Sequence, residues 1–359
     1  MITQSYDTVI LGAGPAGCNL ARLLRSTDPH VLLIDGSAGR AKVCAGLISP
    51  DAQKLLRRYG LSLPDDVLRA PQLRSVRVID VPEKRVRYYP RTYINVDRAA
   101  FDRFLLELVP PTVTVMQARC CAIASQTDGY LLTLRMPDGT EHTVSARRIV
   151  GADGASSLVR RTLFKEKLIQ KYVSIQQTFH SGNVDPYYSC IFDPATSESC
   201  SWIFFKGDHM VFGGAFPPRG CRAAFEEQKR RLMAGGLIEP SAFDAPISTE
   251  ACLVSRPHLT SGVFLGNETA FLIGEAAGFI SPSSFEGISY ALSSSEALAK
   301  AIHSSASPKD TLRRYHRETR LLRLKILGKC LKRPWMYLPA LRALVMKSGI
   351  GSTKKEGGV

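Results

Sequence analysis

The 359-residue sequence has no C-x-x-C pair among its nine cysteines, and their odd number and scatter argue against a disulfide or zinc framework. A reducing cytoplasm is the compartment such cysteine usage suits. No apolar run approaches the roughly 18–20 uninterrupted residues that span a bilayer. No basic segment followed by an apolar one precedes the first strand pattern, which predicts the absence of a secretory signal and an N-terminus ordered within a sheet. The seven histidines show no metal spacing and no G-x-S-x-G turn occurs, so neither a metal site nor a serine triad is expected. Internal repeats and low-complexity blocks are also missing. Acidic residues run short where basic ones are dense. Of a net charge of +15, +11 falls between Pro308 and Val359, where 14 Lys or Arg meet 3 acids. The rest is nearly neutral, so a charged partner would concern the tail.

What is present begins at the N-terminus. A β-branched apolar run, Tyr6 to Leu11, leads into Gly12-Ala13-Gly14-Pro15-Ala16-Gly17 and a helical pattern through Leu24. A second apolar strand, Val31 to Ile34, ends in Asp35. Strand, G-x-G-x-x-G, helix, strand and acid in this order describe a βαβ unit that holds a dinucleotide. Gly12 permits the tight turn, Gly14 lets the backbone approach a pyrophosphate, and Gly17 lets the helix sit close on the strand. Unpaired N–H groups at the helix start meet the phosphates. Asp35 would accept hydrogen bonds from a ribose diol and repel a 2′-phosphate.

Further along, a loop at 36–40 leads to Lys42-Val43-Cys44-Ala45-Gly46, and residues 51–60 have helical character. Ser75 to Val81 and Arg85 to Tyr89 alternate like a hairpin, and Asp97 to Leu108 reads as an amphipathic helix with Phe101, Leu105 and Leu108 inward. Strands are expected at 113–116, 130–134 and 143–145. A separate strand from Arg148 empties into Gly151-Ala152-Asp153-Gly154, and residues 172–216 suggest an antiparallel sheet. A third strand, Phe271 to Ile273, enters Gly274-Glu275-Ala276-Ala277-Gly278, followed by Glu286-Gly287-Ile288 and a small-residue helix to Ala301.

Three strand-to-turn motifs in this order resemble the p-hydroxybenzoate-hydroxylase-like flavoprotein superfamily. Within it, the chain is similar to the geranylgeranyl-reductase-like FAD-dependent oxidoreductases and to their CbrA-like branch, over residues 5 to 350. The stretches that carry the likeness are 44–53, 93–102, 151–161, 201–206 and 272–281. The resemblance implies FAD, its AMP half held by Gly12, Gly14, Gly17 and Asp35, with Arg98 near the flavin phosphate and ribityl portion. It implies that Asp153 orders the region beside the cofactor. Gly274 to Gly278 would approach the pyrophosphate and ribityl chain, and Gly287 and Ile288 the isoalloxazine. Two departures stand out. Glu275 replaces the family's usual Asp and is one methylene longer. Cys44-Ala45-Gly46 replaces the usual Cys-Gly-Gly, so Ala45 restricts the backbone near the ring. Cys44 reads either as an acid/base or packing group facing the flavin, or as a small buried hydrophobe.

Tyr188, Phe192, Trp202 and Phe204 alternate on strands, as an aromatic wall over an apolar substrate or as ordinary sheet core. Cys44 and Trp202 are the catalytic candidates, and no residue is assigned beyond them. In the tail, Ser307, Pro308 and Asp310 form a helix start, and Leu312, Tyr315, Leu322, Ile326 and Cys330 form one stripe that would pack on the body. Residues 334–350, with Lys332, Arg333, Arg342 and Lys347 around them, suit an anionic membrane surface. No nucleic-acid module accompanies the charge.

The expected architecture is α/β (α+β overall). A discontinuous Rossmann-like FAD-binding domain (1–74, 95–165, 264–305) carries an inserted antiparallel substrate domain (75–94, 166–263) and a basic helical C-terminal region (306–359). The expected activity is reduction of C=C bonds in an isoprenoid or lipid-like molecule. FAD monooxygenase chemistry on a small aromatic or lipid-like substrate and a non-enzymatic flavin redox sensor are the alternatives. A halogenase is disfavoured by the missing Trp-x-Trp-x-Ile-Pro signature. With a single G-x-G-x-x-G, the electron donor is expected to be NAD(P)H bound transiently, a ferredoxin or reduced flavin. Expected placement is cytoplasmic or peripheral at the inner face of the membrane.

Overall fold

A computed structural model describes residues 4–24, 30–37, 42–259 and 262–352. Most of the loop expected at 36–40 and the last seven residues of the basic tail lie outside the described residues. In chain order come β1 (Gln4–Leu11), α1 (Pro15–Leu23), β2 (Val31–Asp35), β3 (Leu47–Ile48), α2 (Pro50–Arg58), β4 (Leu73–Asp80), β5 (Arg85–Asn95), α3 (Arg98–Glu107) and β6 (Thr114–Gln117). Next are β7 (Arg119–Gln126), β8 (Gly129–Arg135), β9 (Glu141–Gly151), α4 (Leu158–Leu163), β10 (Lys171–His180), β11 (Tyr187–Phe192), β12 (Cys200–Lys206), β13 (His209–Phe216) and α5 (Cys221–Ala234). The chain closes with β14 (Ser248–Ser255), β15 (Ala270–Leu272), α6 (Gly274–Ala277), α7 (Ile288–Ser304), α8 (Pro308–Glu318), α9 (Arg320–Tyr337) and α10 (Pro339–Ser348).

The nucleotide sheet runs β6-β2-β1-β9-β8-β7, with β15 also beside β9. Its β6, β2, β1, β9 and β15 are parallel, and Val9, Ile10, Leu32, Leu33, Ile149, Val150, Phe271 and Leu272 are fully buried, as strands covered on both faces require. The strands expected separately at 143–145 and from Arg148 are one. β1 pairs along β9 from Gln4 opposite Val144 to Leu11 opposite Gly151, across the gap between the two expected strands. On its other edge, β9 pairs antiparallel with β8 at first and parallel with β15 at its end. Helices α1 and α7 share one face. Asn19 Nδ2, buried between them, donates to Leu292 O (3.2 Å) and Ser295 Oγ (2.7 Å).

The second sheet runs β14-β10-β13-β12-β11-β4-β5-β3. It is antiparallel as expected except at one place: β11 lies parallel to β4. β11 reverses direction from β12, and the early β4–β5 hairpin fills the edge left open. Leu47 and Ile48, from a stretch assigned to the FAD-binding domain, pair with Asn95 and Ile94 and so belong to this sheet. One face is sealed by α5, whose Phe225 and Leu232 pack on Phe179, Ile203, Phe212 and Phe216. The other face looks toward the nucleotide sheet.

The tail starts as its sequence indicates, with Asp310 N donating to Ser307 Oγ (3.2 Å). The single apolar stripe is divided between α8 and α9 at Thr319, whose hydroxyl bonds back to Tyr315 O (2.7 Å). Tyr315, Ile326 and Cys330 are buried, and Leu312 and Leu322 partly so. Arg342 departs from expectation. Its Nε and Nη2 donate to Asp80 at 2.8 and 3.0 Å, with both side chains almost fully buried. Arg342 therefore joins α10 to the second sheet and is not available to a membrane surface.

Candidate functional site

Between the two sheets lies a cavity of about 1250 Å³. At one end it is lined by the β1–α1 turn. Gly12 adopts φ +107, and a Cβ there would stand 2.6 Å from Ala152 O, so the turn folds against the end of β9 only without a side chain. A Cβ on Gly17 would overlap Gly12 O, which is how α1 seats directly on the strand end. Gly14, the N-cap of α1, has ordinary extended backbone, no side-chain cap, and no atom within 4 Å of its would-be Cβ. The helix start is thus bare and aimed at open space, an arrangement suited to an anion. Asp35, at the end of β2, also lines the cavity, with Oδ1 accepting from Ser37 N (2.9 Å).

Midway, loop 42–46 meets α3 and α6. Arg98, first residue of α3, is held by Asp102 one turn on (Nε to Oδ1, 3.0 Å). Cys44 is half-buried at the cavity wall, where its Sγ accepts from Gly46 N (3.5 Å). Burial pushes this thiol's pKa up, but Arg98, the Gly46 N–H and Lys42 outweigh it, and the net shift is downward. Alkylation of Cys44 by iodoacetamide should begin at lower pH than an ordinary thiol's. Arg98→Gln should move that profile to higher pH, because the largest opposing charge is gone. An unchanged profile would remove Arg98 from the account.

Asp153 lines the same region. Burial raises its carboxyl pKa, Oδ2 accepts from Leu158 N (2.6 Å), and Oδ1 is buried with no partner among the described residues. Glu275 is already engaged: Oε1 accepts from Ser255 N (2.7 Å), and Lys42 pairs with Oε2. The methylene it has beyond Asp gives the carboxylate the reach to tie α6 to β14. Ala13, Pro15, Ala16, Ala45, Gly287 and Ile288 line the cavity. Gly17, Gly274 and Gly278 do not. A Cβ on Gly274 would press 2.9 Å from Ala16 Cβ, and Gly278 ends α6 in the left-handed region.

The far end is apolar and aromatic. Tyr188, Cys190 and Phe192 share a sheet face with Cys200, Trp202 and Phe204, because Cys190 pairs with Trp202. Of the four expected wall residues, Tyr188 and Trp202 reach the cavity. Phe204 is buried in the cluster behind them, and Phe192 packs instead on Tyr337 and Arg342. The Trp202 indole lies flat over Gly213 of β13, and its Nε1 is buried without a partner among the described residues. Leu47, Tyr93, Ser174 and Phe285 complete this end, and Arg119, Arg135 and Arg161 lie on the wall elsewhere. Sequence reading missed these. They sit on unrelated elements with no common spacing, although the Arg98-x-x-x-Asp102 pair was visible as an i,i+4 match.

Pairing of β10 with β13 also corrects the view that no histidines cluster. His180 and His209 face each other, and with Asp208 their ligating atoms lie within 4.8 Å of one another. All three lie outside the cavity lining.

An extended cofactor with a pyrophosphate fits this cavity. The bare helix start, with its clearance at Gly14, and Arg98 border the same space.

Comparison with known proteins agrees with the fold. Residues 7–229 match the family model described as lycopene cyclase protein. Protein CbrA of Escherichia coli O6:H1 is 41% identical over 352 residues, 97% of this chain and 94% of its own. Protein CbrA of Shigella sonnei is also 41% identical, with 97% and 98% covered. Among solved structures, a geranylgeranyl bacteriochlorophyll reductase-like protein from Thermoplasma acidophilum superposes with a TM-score of 0.81 at 18% identity, covering 96% of this chain and 91% of that one. The p-nitrophenol 4-monooxygenase of Pseudomonas putida does so with 0.71 at 17% identity, covering 96% and 94%. At such identities these two share the fold, and the reductase-like branch is a fold neighbour.

Proposed function

From the premise that the chain belongs to the family described as lycopene cyclase protein and is related over nearly its whole length to the CbrA proteins, we propose an FAD-dependent oxidoreductase that reduces a carbon–carbon double bond of an isoprenoid or other lipid-like substrate. One observation carries the reading. A single cavity joins a helix start suited to pyrophosphate with an end walled by Leu47, Tyr93, Tyr188, Trp202 and Phe285. Gly12 to Ala16 and Arg98 would hold the diphosphate and Asp35 the adenosine ribose, with Asp153 ordering the turn beside them. FAD, when bound, supplies hydride exchange with the substrate; the protein supplies orientation and exclusion of water.

The aromatic end removes apolar substrate from water and fixes which face it presents. In this reading Cys44 Sγ would hold and release a proton at the wall, a role supported by its position on the cavity lining and by Arg98 and Lys42, which favour its thiolate against the cost of burial. Cys44→Ser keeps the size and loses the acidity. It should lower turnover about 10²-fold or more while flavin content stays at the wild-type level. Wild-type turnover in that variant would leave Cys44 a packing residue.

The experiment that tests the reading mixes anaerobically reduced enzyme with a panel of polyprenyl substrates and follows flavin absorbance. Reoxidation with loss of a double bond by mass spectrometry supports it. Labelled oxygen appearing in a hydroxylated product, with NAD(P)H consumed, would replace it with monooxygenase chemistry. Bound FAD with turnover in neither assay would leave the sensor.

A further inference from the structure

The C-terminal helices carry an apolar face that nothing among the described residues covers. Nine of the fifteen exposed large hydrophobic side chains among the described residues lie between Leu321 and Ile350. Those on α9 fall in one register. Leu321, Leu324, Leu327, Leu331 and Trp335, with Leu338 as its C-cap, are spaced by three or four residues and occupy an arc of roughly 120°. Ile326 and Cys330, which anchor α9 to the body, point the opposite way. Exposure is high along the row: 79% at Leu321, 60% at Leu331 and 49% at Trp335. On α10, which follows α9 directly at Leu338, Leu344 and Val345 are also exposed. A helix that is apolar on its outer face as well as its inner one has a second partner.

Charge identifies the partner. Between Thr319 and Ile350 the sequence holds eight Lys or Arg and no Asp or Glu. Some of these charges are committed to the body. Arg342 binds Asp80, Lys325 pairs with Asp51, and Lys329 reaches Ser281 Oγ (3.2 Å). Arg320 and Lys332 remain exposed beside the apolar row, and Lys347 lies exposed on α10. No helix among the described residues is long and apolar enough to cross a membrane. Leucines with a tryptophan, bordered by cations and without an acid, match an interfacial helix lying in the plane of an anionic leaflet.

The geometry points to the outer face of α9 and α10 as a docking surface for anionic lipid headgroups and the acyl layer beneath them. Arg320, Lys332 and Lys347 meet the headgroups while Leu324, Leu327, Leu331 and Trp335 enter the acyl boundary. This surface is separate from the cavity and stands whatever chemistry the cavity performs.

The test is co-sedimentation of the full-length protein with vesicles of phosphatidylcholine alone and of phosphatidylcholine mixed with phosphatidylglycerol. Binding is expected to the mixed vesicles only, falling as salt rises, with a blue shift of tryptophan emission. Trp335 is the reporter, because the only other tryptophan, Trp202, is buried. The pair Leu324→Glu/Leu331→Glu and, separately, the pair Arg320→Glu/Lys332→Glu should each reduce partitioning about tenfold or more. All four side chains are exposed, so melting temperature and flavin content should remain at wild-type values. Three results would overturn the inference: no binding to mixed vesicles at low salt, equal binding to neutral vesicles, or wild-type binding by both variants. A wild-type dimer that Leu324→Glu/Leu331→Glu converts to monomer would also overturn it, by assigning the face to a second copy of the chain.

Discussion

Gly14→Ala will yield a protein that folds normally and does not retain flavin, whereas Gly17→Ala will lose both flavin and stability. The two glycines lie three residues apart in one turn, yet their surroundings differ. A Cβ at Gly14 has φ −79 behind it and no protein atom within 4 Å, so the methyl fits the apoprotein. It fills only the space in front of the helix start, where a pyrophosphate would approach. A Cβ at Gly17 runs into the backbone carbonyl of Gly12, which has no rotamer to change, so α1 must move off β1. Overpacking of this kind costs about 1–3 kcal/mol and moves the helix N–H groups with it.

The measurements are melting temperature of the flavin-free forms and Kd for FAD by absorbance titration. Gly14→Ala is expected at the wild-type melting temperature with Kd raised about 10²-fold, equivalent to about 2.7 kcal/mol. Gly17→Ala is expected to melt earlier and to bind FAD no better. If Gly14→Ala binds FAD as the wild type does, the pyrophosphate does not sit at this helix start.

Arg342→Ala should destabilise the fold by about 3–5 kcal/mol. The guanidinium makes two hydrogen bonds to Asp80, and its Nη1 reaches the carbonyls of Met336 and Tyr337 at 3.2 and 3.3 Å. Removing it leaves the Asp80 carboxylate buried without a counter-charge on β4, and α10 loses its main anchor. Most of that cost is the stranded charge and little of it the pair's own strength. The double variant Asp80→Leu/Arg342→Met should therefore recover much of the loss, since a buried ion pair is often replaceable by apolar groups of similar volume. Urea denaturation of wild type, single and double variants checks both statements. A single variant within about 1 kcal/mol of wild type would show that Asp80 finds water when Arg342 is gone.

Local elements were legible where neighbouring residues in the sequence decide the structure. The β1–α1 turn, the β4–β5 hairpin and the Ser307 helix cap each depend on residues within a few positions of one another. Arg342 shows the limit. Its sequence neighbourhood is basic and apolar, and its partner lies 262 residues away. Glu275 is similar: its motif suggests a cofactor contact, but Ser255 N and Lys42 take both oxygens. Phe192 and Trp202 follow one alternation, yet only Trp202 reaches the cavity, because Tyr337 of the tail lies over Phe192.

By itself the sequence determined the nucleotide half of this protein: a strand, a glycine turn and a helix, whose backbone needs are written in consecutive residues. It also set the concentration of positive charge in the tail. Only tertiary structure decided which face of each strand meets the cavity, that β11 runs parallel to β4, and which tail cations are committed to the body. Side-chain alternation records that a strand has two faces, but which of them is covered depends on chain segments hundreds of residues distant. For the tail, helical spacing showed an inner stripe, and packing showed that a second, outer stripe of leucines was left exposed.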